Sequence, residues 1–420
     1  PGYGAVAAVT LGLATLLLPF SVLLFSHALS ALLGFAAFVV LWHERTHPSR
    51  WRVAGAGVLA GTAIVVEYPL GIVGVVLAGY VCATAPRAKR VAAYAAGSIV
   101  ALVPLFAYNA AAFGSPLRLS YGSSVIAGHE AGIFGISGPS LRKAVEVLVS
   151  GKGLLTLTPV VAAGTVGLLA LYRRGHRREA LTCAAIAGLF LLYNASYFGP
   201  LGGNVPGPRL LVPALPFVAL GLAAAYAAWP TVVFVLAAPS LTLMAAATLT
   251  NPMLREKDIS PWVEAVRNGE LTDSVLTLAF GTSGWAGVLP FLVLAGAAGA
   301  LAVASMPAPH LRRSELPVAL VAGVVWLVVL DAGRDLLFTD RYAGGSWGLV
   351  AASLVLVATV VAVLLARRRG LVVLVAIVPL LALPVPGVAG HAAVSATLAA
   401  VTLVLLAGLA KLPGRRPGSI

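Results

Sequence analysis

In the stretch GGNVPGPRLLVPALPF, residues 202–217, Arg209 follows Pro208 and leads into the apolar run Leu210-Leu211-Val212. Proline restricts the backbone on one side and an apolar helix commits it on the other, so the guanidinium is placed at a helix entrance. Its planar fork of donors suits a phosphate, and the glycines and prolines before it let backbone approach a ligand. Other groups able to bind or to move protons recur between apolar runs. They are Ser26 and His27 in FSHALS, Glu67 and Tyr68 in VVEYPLG, then Tyr121, His129, Glu130, Lys143, Lys152 and Asn204, and finally Asp331, Arg334, Asp335, Asp340 and Arg341. Ionisable groups at the edge of an apolar layer are costly unless paired or wet, so their gathering suggests a polar site. Each also has a structural alternative: His27 as a hydrogen-bonded interface histidine, Glu67 as the partner of a nearby cation, and DAGRDLLFTDRY as a solvated loop anchored by Tyr342.

Several other chemistries are excluded by pattern. There is no P-loop, no G-x-S-x-G elbow, no dinucleotide fingerprint and no H-E-x-x-H. HERTH places His43 and His47 four residues apart but lies beside Pro48 in a basic loop and lacks a further ligand, and His391 stands alone. Cys82 and Cys183 both fall inside apolar segments, where they read as small buried residues and not as a disulfide framework. A divalent metal such as Mg²⁺ would need clustered carboxylates, for which Asp331, Asp335 and Asp340 are the candidates.

The elements that must position these residues are apolar. Of 420 residues, 60% are hydrophobic and 10% charged, and apolar runs recur from end to end. This is the pattern of an all-α polytopic membrane bundle of about 12–14 spans, among them 5–18, 53–67, 70–84, 347–366, 371–388 and 392–411, and not of a closed barrel with its alternating segments. Charge gives the orientation. The loops HERTHPSRWR, PRAKR, YRRGHRRE, HLRRSE, RRRG and KLPGRRPGSI hold 18 of the 28 Lys and Arg residues, with only Glu44, Glu179 and Glu315 as acids. Short cytoplasmic loops are enriched in Lys and Arg, so these loops, and with them both ends of the chain, are expected on the cytoplasmic side. The net charge of +14 then follows from insertion topology, and nucleic acid is not expected as a partner. Arginine in excess of lysine, with abundant Ala, Gly and Val, suggests a high-GC bacterial genome and hence a plasma (inner) membrane.

Two long segments, Phe113–Pro159 and Thr250–Ser283, fall on the opposite, outer side. In the first, Leu141, Val145, Leu148 and Val149 share one helical face, with Ser140 as N-cap and Gly151 as a stop. In the second, Ser260 is the expected N-cap, Pro261 the first helical residue and Gly269 the end. Both read as short amphipathic helices lying on the outer interface.

The serial order LPFSVLLFSHALSALLGFAAF, AGAGVLAGTAIVVEYP, YNAAAFGSPLRLSYG, GIFGISGPSLRKAVEVLVSGKGLLTLTPVVAAG and YFGPLGGNVPGPRLLVPALPFVAL resembles bacterial multi-spanning glycosyltransferases of the GT-C fold, in the protein O-mannosyltransferase and aminoarabinose transferase group. The likeness covers residues 1–300 as a GT-C-like region, with 301–420 as additional C-terminal transmembrane helices. It implies transfer of a sugar from a polyprenyl-phosphate donor to an envelope glycan, lipid or protein on the outer face, with inversion and with a carboxylate as general base. Arg209 matches the arginine of the family's G-P-R segment and would hold the donor phosphate, with Lys152 as helper. Ser26 and His27 match its S-H pair and would line the cavity with Tyr121 and Asn204. The family's acidic first outer loop precedes the segment with which this chain opens, and nothing from Pro1 to His43 is acidic. Glu67 is the nearest outer carboxylate and the candidate for the catalytic position. Either N-terminal helices are missing or the chain is a noncatalytic relative; a lipid or amphiphile transporter or flippase, or a membrane scaffold in envelope assembly, are the other readings.

Overall fold

The structure is a computed structural model, and it describes residues 2–84, 86–123, 128, 132–133, 135–253, 259–307 and 313–333. His129, Glu130, Arg334, Asp335, Asp340 and Arg341 lie outside the described residues, as do the spans expected at 347–366, 371–388 and 392–411. Among the described residues the chain is all-helical; extended backbone pairs only in two isolated bridges, Ile133 with Ile136 and Ile136 with Tyr197.

Sixteen α-helices are described. They are α1 (Tyr3–Leu13), α2 (Leu17–Ser21), α3 (His27–Glu44), α4 (Arg50–Val66), α5 (Gly71–Cys82), α6 (Arg87–Phe113), α7 (Leu141–Val149), α8 (Leu154–Leu157), α9 (Val160–Arg173), α10 (Arg177–Ser196), α11 (Leu215–Ala228), α12 (Pro230–Leu249), α13 (Ser260–Asn268), α14 (Val275–Phe280), α15 (Trp285–Ser305) and α16 (Leu316–Ala332). Six continuous helical segments are long and apolar enough to cross a membrane: α3, α6, α10, α12, α15 and the run Arg209–Ala228 that includes α11. A seventh is added if α7–α8 and α9, bent by 90° at their junction, count as one span. These six or seven belong to the described residues alone; three further expected spans lie outside them, and the apolar helices Tyr3–Leu13, Tyr68–Cys82 and Leu316–Ala332 are shorter. The expected span 5–18 breaks after Leu13, where Thr15 bonds the Leu11 carbonyl with its hydroxyl and Pro19 follows. The runs 53–67 and 70–84 stay separate because Pro69 has no N–H to continue a helix.

The two short amphipathic helices are present as elements. In α7, Ser140 caps by accepting from the Lys143 backbone N–H. In α13 the boundary differs from expectation: Ser260 is already helical, Ile259 holds the N-cap position, and Pro261 sits in the first turn. Gly269 ends that helix in the left-handed region, φ 73°, as a C-terminal glycine does.

Helices meet through small residues. A Cβ on Gly57 would collide with the Tyr94 carbonyl, one on Gly61 with Ser98, and one on Gly97 with the Ala54 carbonyl, so α4 and α6 touch backbone to backbone. Gly164 and Gly167 of α9 and Gly221 of α11 do the same. In lipid, where apolar side chains gain little by leaving their surroundings, such close approach is what binds helices. At the centre, Phe35 and Phe38 of α3 pack on Phe217 of α11 at 5.3 and 5.8 Å between ring centres, and Phe38 also meets Tyr80 of α5. Helix α3 is thus a central post, and both of its ends carry buried charge.

Candidate functional site

His27 is the first residue of α3 and is buried. Glu67 follows the last turn of α4 in an extended conformation, φ −158° and ψ 112°, because the chain must leave the helix ahead of Pro69. That departure turns its carboxylate toward α3. His27 Nδ1 donates to Glu67 Oε1 at 2.8 Å, and Ser30 Oγ, one turn along α3, donates to Oε2 at 2.8 Å. Each carboxylate oxygen therefore has a protein donor. The imidazole lies edge-on to Phe20, ring centres 5.4 Å apart, and stacks on Phe25 at 5.7 Å and 12°. Its other nitrogen, Nε2, is buried without a hydrogen-bond partner.

Arg209 reaches the same aromatic ring. It opens a 3-10 helix, Arg209–Ala214, and α11 begins only at Leu215, so the arginine stands one loose turn ahead of the α-helix it was expected to enter directly. Its Cζ lies 5.9 Å from the centre of the Phe25 ring. Its aliphatic stem is pressed against Gly202, which sits at φ 78°; a Cβ there would come within 2.7 Å of Arg209 Cγ. The Nε atom is buried with no partner. Among the described residues no carboxylate forms an ion pair with Arg209.

Tyrosines complete the rim. Tyr121 meets Tyr68 edge to face at 5.5 Å, Tyr193 tilts against Tyr197 at 6.0 Å, and Tyr197 packs on Phe198 at 4.6 Å. Burial first, then neighbouring Tyr197, Glu67 and Tyr68, raises the Tyr121 phenol above its ordinary range, while Arg209 pulls it down. Burial raises Tyr197 as well, again opposed by Arg209. The Tyr121 phenol is thus influenced by both Glu67 and Arg209, in opposite directions.

Other candidate residues occupy supporting or separate positions. Lys152, 3% exposed, donates from Nζ to the Gly203 carbonyl at 3.1 Å and so braces the glycine loop that leads to Arg209. Lys143 Nζ holds the Tyr197 carbonyl at 2.9 Å. Ser26 holds the N-cap position of α3 without a side-chain cap bond, and Asn204 is exposed on the glycine loop. Asp331 is exposed at the end of α16, while Asp335 and Asp340 fall outside the described residues. Among the described residues no three His, Cys, Asp or Glu side chains converge as a metal site would require. Ser30, Phe25, Tyr193 and Tyr197 were not foreseen. Ser30 had a visible signal, since it stands three residues after His27 and so on the same helical face.

The far end of α3 is built differently. Glu44 pairs with Arg90 of α6 and accepts from the Ser49 backbone N–H, while Arg45 and the Tyr80 hydroxyl meet on Glu179 of α10. The Tyr80 and Glu179 contacts hold the Arg45 guanidinium above its ordinary value against the opposing effect of burial. No protein-family model, curated protein or solved structure matches this chain.

Proposed function

We propose that the chain is a membrane glycosyltransferase-like protein of GT-C type that takes a sugar from a polyprenyl-phosphate donor. The His27 end of the bundle faces outward, the basic loops face the cytoplasm, and α7 and α13 lie on the outer interface. The observation that carries the reading is the meeting of Arg209 with the His27–Glu67 pair across Phe25. A guanidinium without a carboxylate partner among the described residues, held against Gly202 and Phe25, suits an incoming phosphate. In the reaction, an acceptor hydroxyl oxygen forms a bond to the anomeric carbon. The bond from that carbon to the phosphate oxygen breaks, and polyprenyl monophosphate leaves with the electron pair. Arg209 stabilises the charge that grows on the leaving phosphate, and Lys152 holds the loop in place.

The test uses the chain in phosphatidylcholine nanodiscs with polyprenyl monophosphate as the probe. Arg209→Ala and Arg209→Lys are each expected to weaken binding at least tenfold, because a point charge does not replace a two-pronged contact. Equal binding by all three proteins would remove the phosphate role and favour a scaffold. Binding that depends on Arg209, with the native lipid-linked sugar pool moved between leaflets but never cleaved, would favour a flippase.

A further inference from the structure

We infer that His27, through Nε2, takes the proton from an acceptor alcohol, with Glu67 and Ser30 as positioning residues. The inference rests on the transferase reading and adds the destination of the proton. A carboxylate was the expected base, yet both oxygens of Glu67 are already engaged, one by His27 and one by Ser30. A carboxylate so held orients its donors, and an incoming alcohol would have to displace one of them. A carboxylate oxygen accepts, so in the neutral imidazole the hydrogen sits on Nδ1 and Nε2 carries the lone pair. The accounting agrees: Nε2 is buried without a partner, and a buried acceptor lacking a donor is more tolerable than a buried N–H lacking an acceptor.

The ring is aimed by packing as well as by hydrogen bonding. Phe20 meets it edge-on and Phe25 lies against its face. Phe25 also lies beside the Arg209 guanidinium, so the proton acceptor and the phosphate holder share one wall. Phe25 belongs to the short linker 22–26, where Leu24 is fully exposed. In the step itself the alcohol O–H bond breaks and its proton goes to Nε2. The oxygen bonds to the anomeric carbon, the bond to phosphate breaks, and the proton passes on to water as the products leave.

The experiment compares His27→Ala and Glu67→Gln with the unaltered chain in nanodiscs. The native lipid-linked sugar pool and native membrane acceptors supply the reaction, and release of polyprenyl monophosphate is the readout. Binding of polyprenyl monophosphate is measured in parallel and shows that each variant is folded. Transfer at least a hundredfold slower is expected for His27→Ala, a loss much larger than any accompanying loss of polyprenyl monophosphate binding. Added imidazole should restore at least tenfold of the lost rate, while pyrrole, of the same shape but without the basic lone pair, should restore none. Glu67→Gln should slow transfer about tenfold without changing binding. Transfer by His27→Ala at the unaltered rate, or equal rescue by pyrrole, overturns the proton role and leaves the transferase reading standing. Absence of both phosphate binding and transfer in the unaltered chain overturns that reading and this inference with it.

Discussion

The two ends of α3 bury charge in opposite ways. At the Glu44 end, carboxylates and guanidinium groups meet one to one across helices: Glu44 with Arg90, and Arg45 with Glu179. At the His27 end, the carboxylate meets an imidazole and a hydroxyl, and the guanidinium nearby has no carboxylate among the described residues. The first arrangement cancels charge and ties α3 to α6 and α10. The second leaves, among the described residues, a guanidinium without a carboxylate and a ring nitrogen without a hydrogen-bond partner. Neither end is fully satisfied, since Glu44 Oε2 and Arg90 Nε and Nη2 are also buried without a hydrogen-bond partner; what separates the ends is charge pairing, present at Glu44 and, among the described residues, absent at Arg209.

The comparison breaks most readily at the Glu44 end. Removing one member of a buried pair leaves the other charged and uncompensated, so Arg90→Met alone should cost about 3–5 kcal/mol in detergent unfolding. The double change Glu44→Leu with Arg90→Met should recover most of that loss, and polyprenyl monophosphate binding by the folded fraction should stay within twofold in both. A fall in binding that tracks Arg90 would mean that the two ends are not separable.

Gly202 offers a sharper probe of the other end, since it changes no charge. Gly202→Ala forces a left-handed backbone on a side chain and drives a methyl into the Arg209 stem. Polyprenyl monophosphate binding should weaken about tenfold with little change in the unfolding midpoint. Unchanged binding would show that the fixed placement of Arg209 is unimportant. The smallest effect is spectroscopic. Arg209 favours the phenolates of Tyr121 and Tyr197, so in Arg209→Ala their ionisation should begin at higher pH. Ultraviolet titration, with Tyr121→Phe subtracted, measures that displacement, and a move to lower pH would contradict the geometry.

Much of the architecture is legible in the sequence because hydropathy and prolines act locally. Within the described residues the apolar runs become helices, the Pro69 break is where the pattern puts it, and Ser140 and Gly269 do what their types suggest. Span limits are less legible, because a window of apolar residues reads alike whether it belongs to one long helix or, as at Leu17–Ser21, to a short turn beyond a break. The site was half legible. Arg209, His27 and Glu67 are conspicuous as polar residues between apolar runs, but nothing in the pattern shows that His27 and Glu67, 40 residues apart, form a pair. That pairing depends on the rotation of α3 against the end of α4, which is a property of packing. Phe25, one apolar residue among many, had no signal at all.

The bare contact between α4 and α6 has a mechanical consequence. With carbonyls seated against Gly57, Gly61 and Gly97, the two helices mesh like a rack with no play, and sliding either by one residue would jam a methyl against a carbonyl. Glu67 stands at the tip of that rack, one residue beyond Val66. Its height relative to α6 is thus set by three hydrogens in place of three side chains, well away from the carboxylate itself.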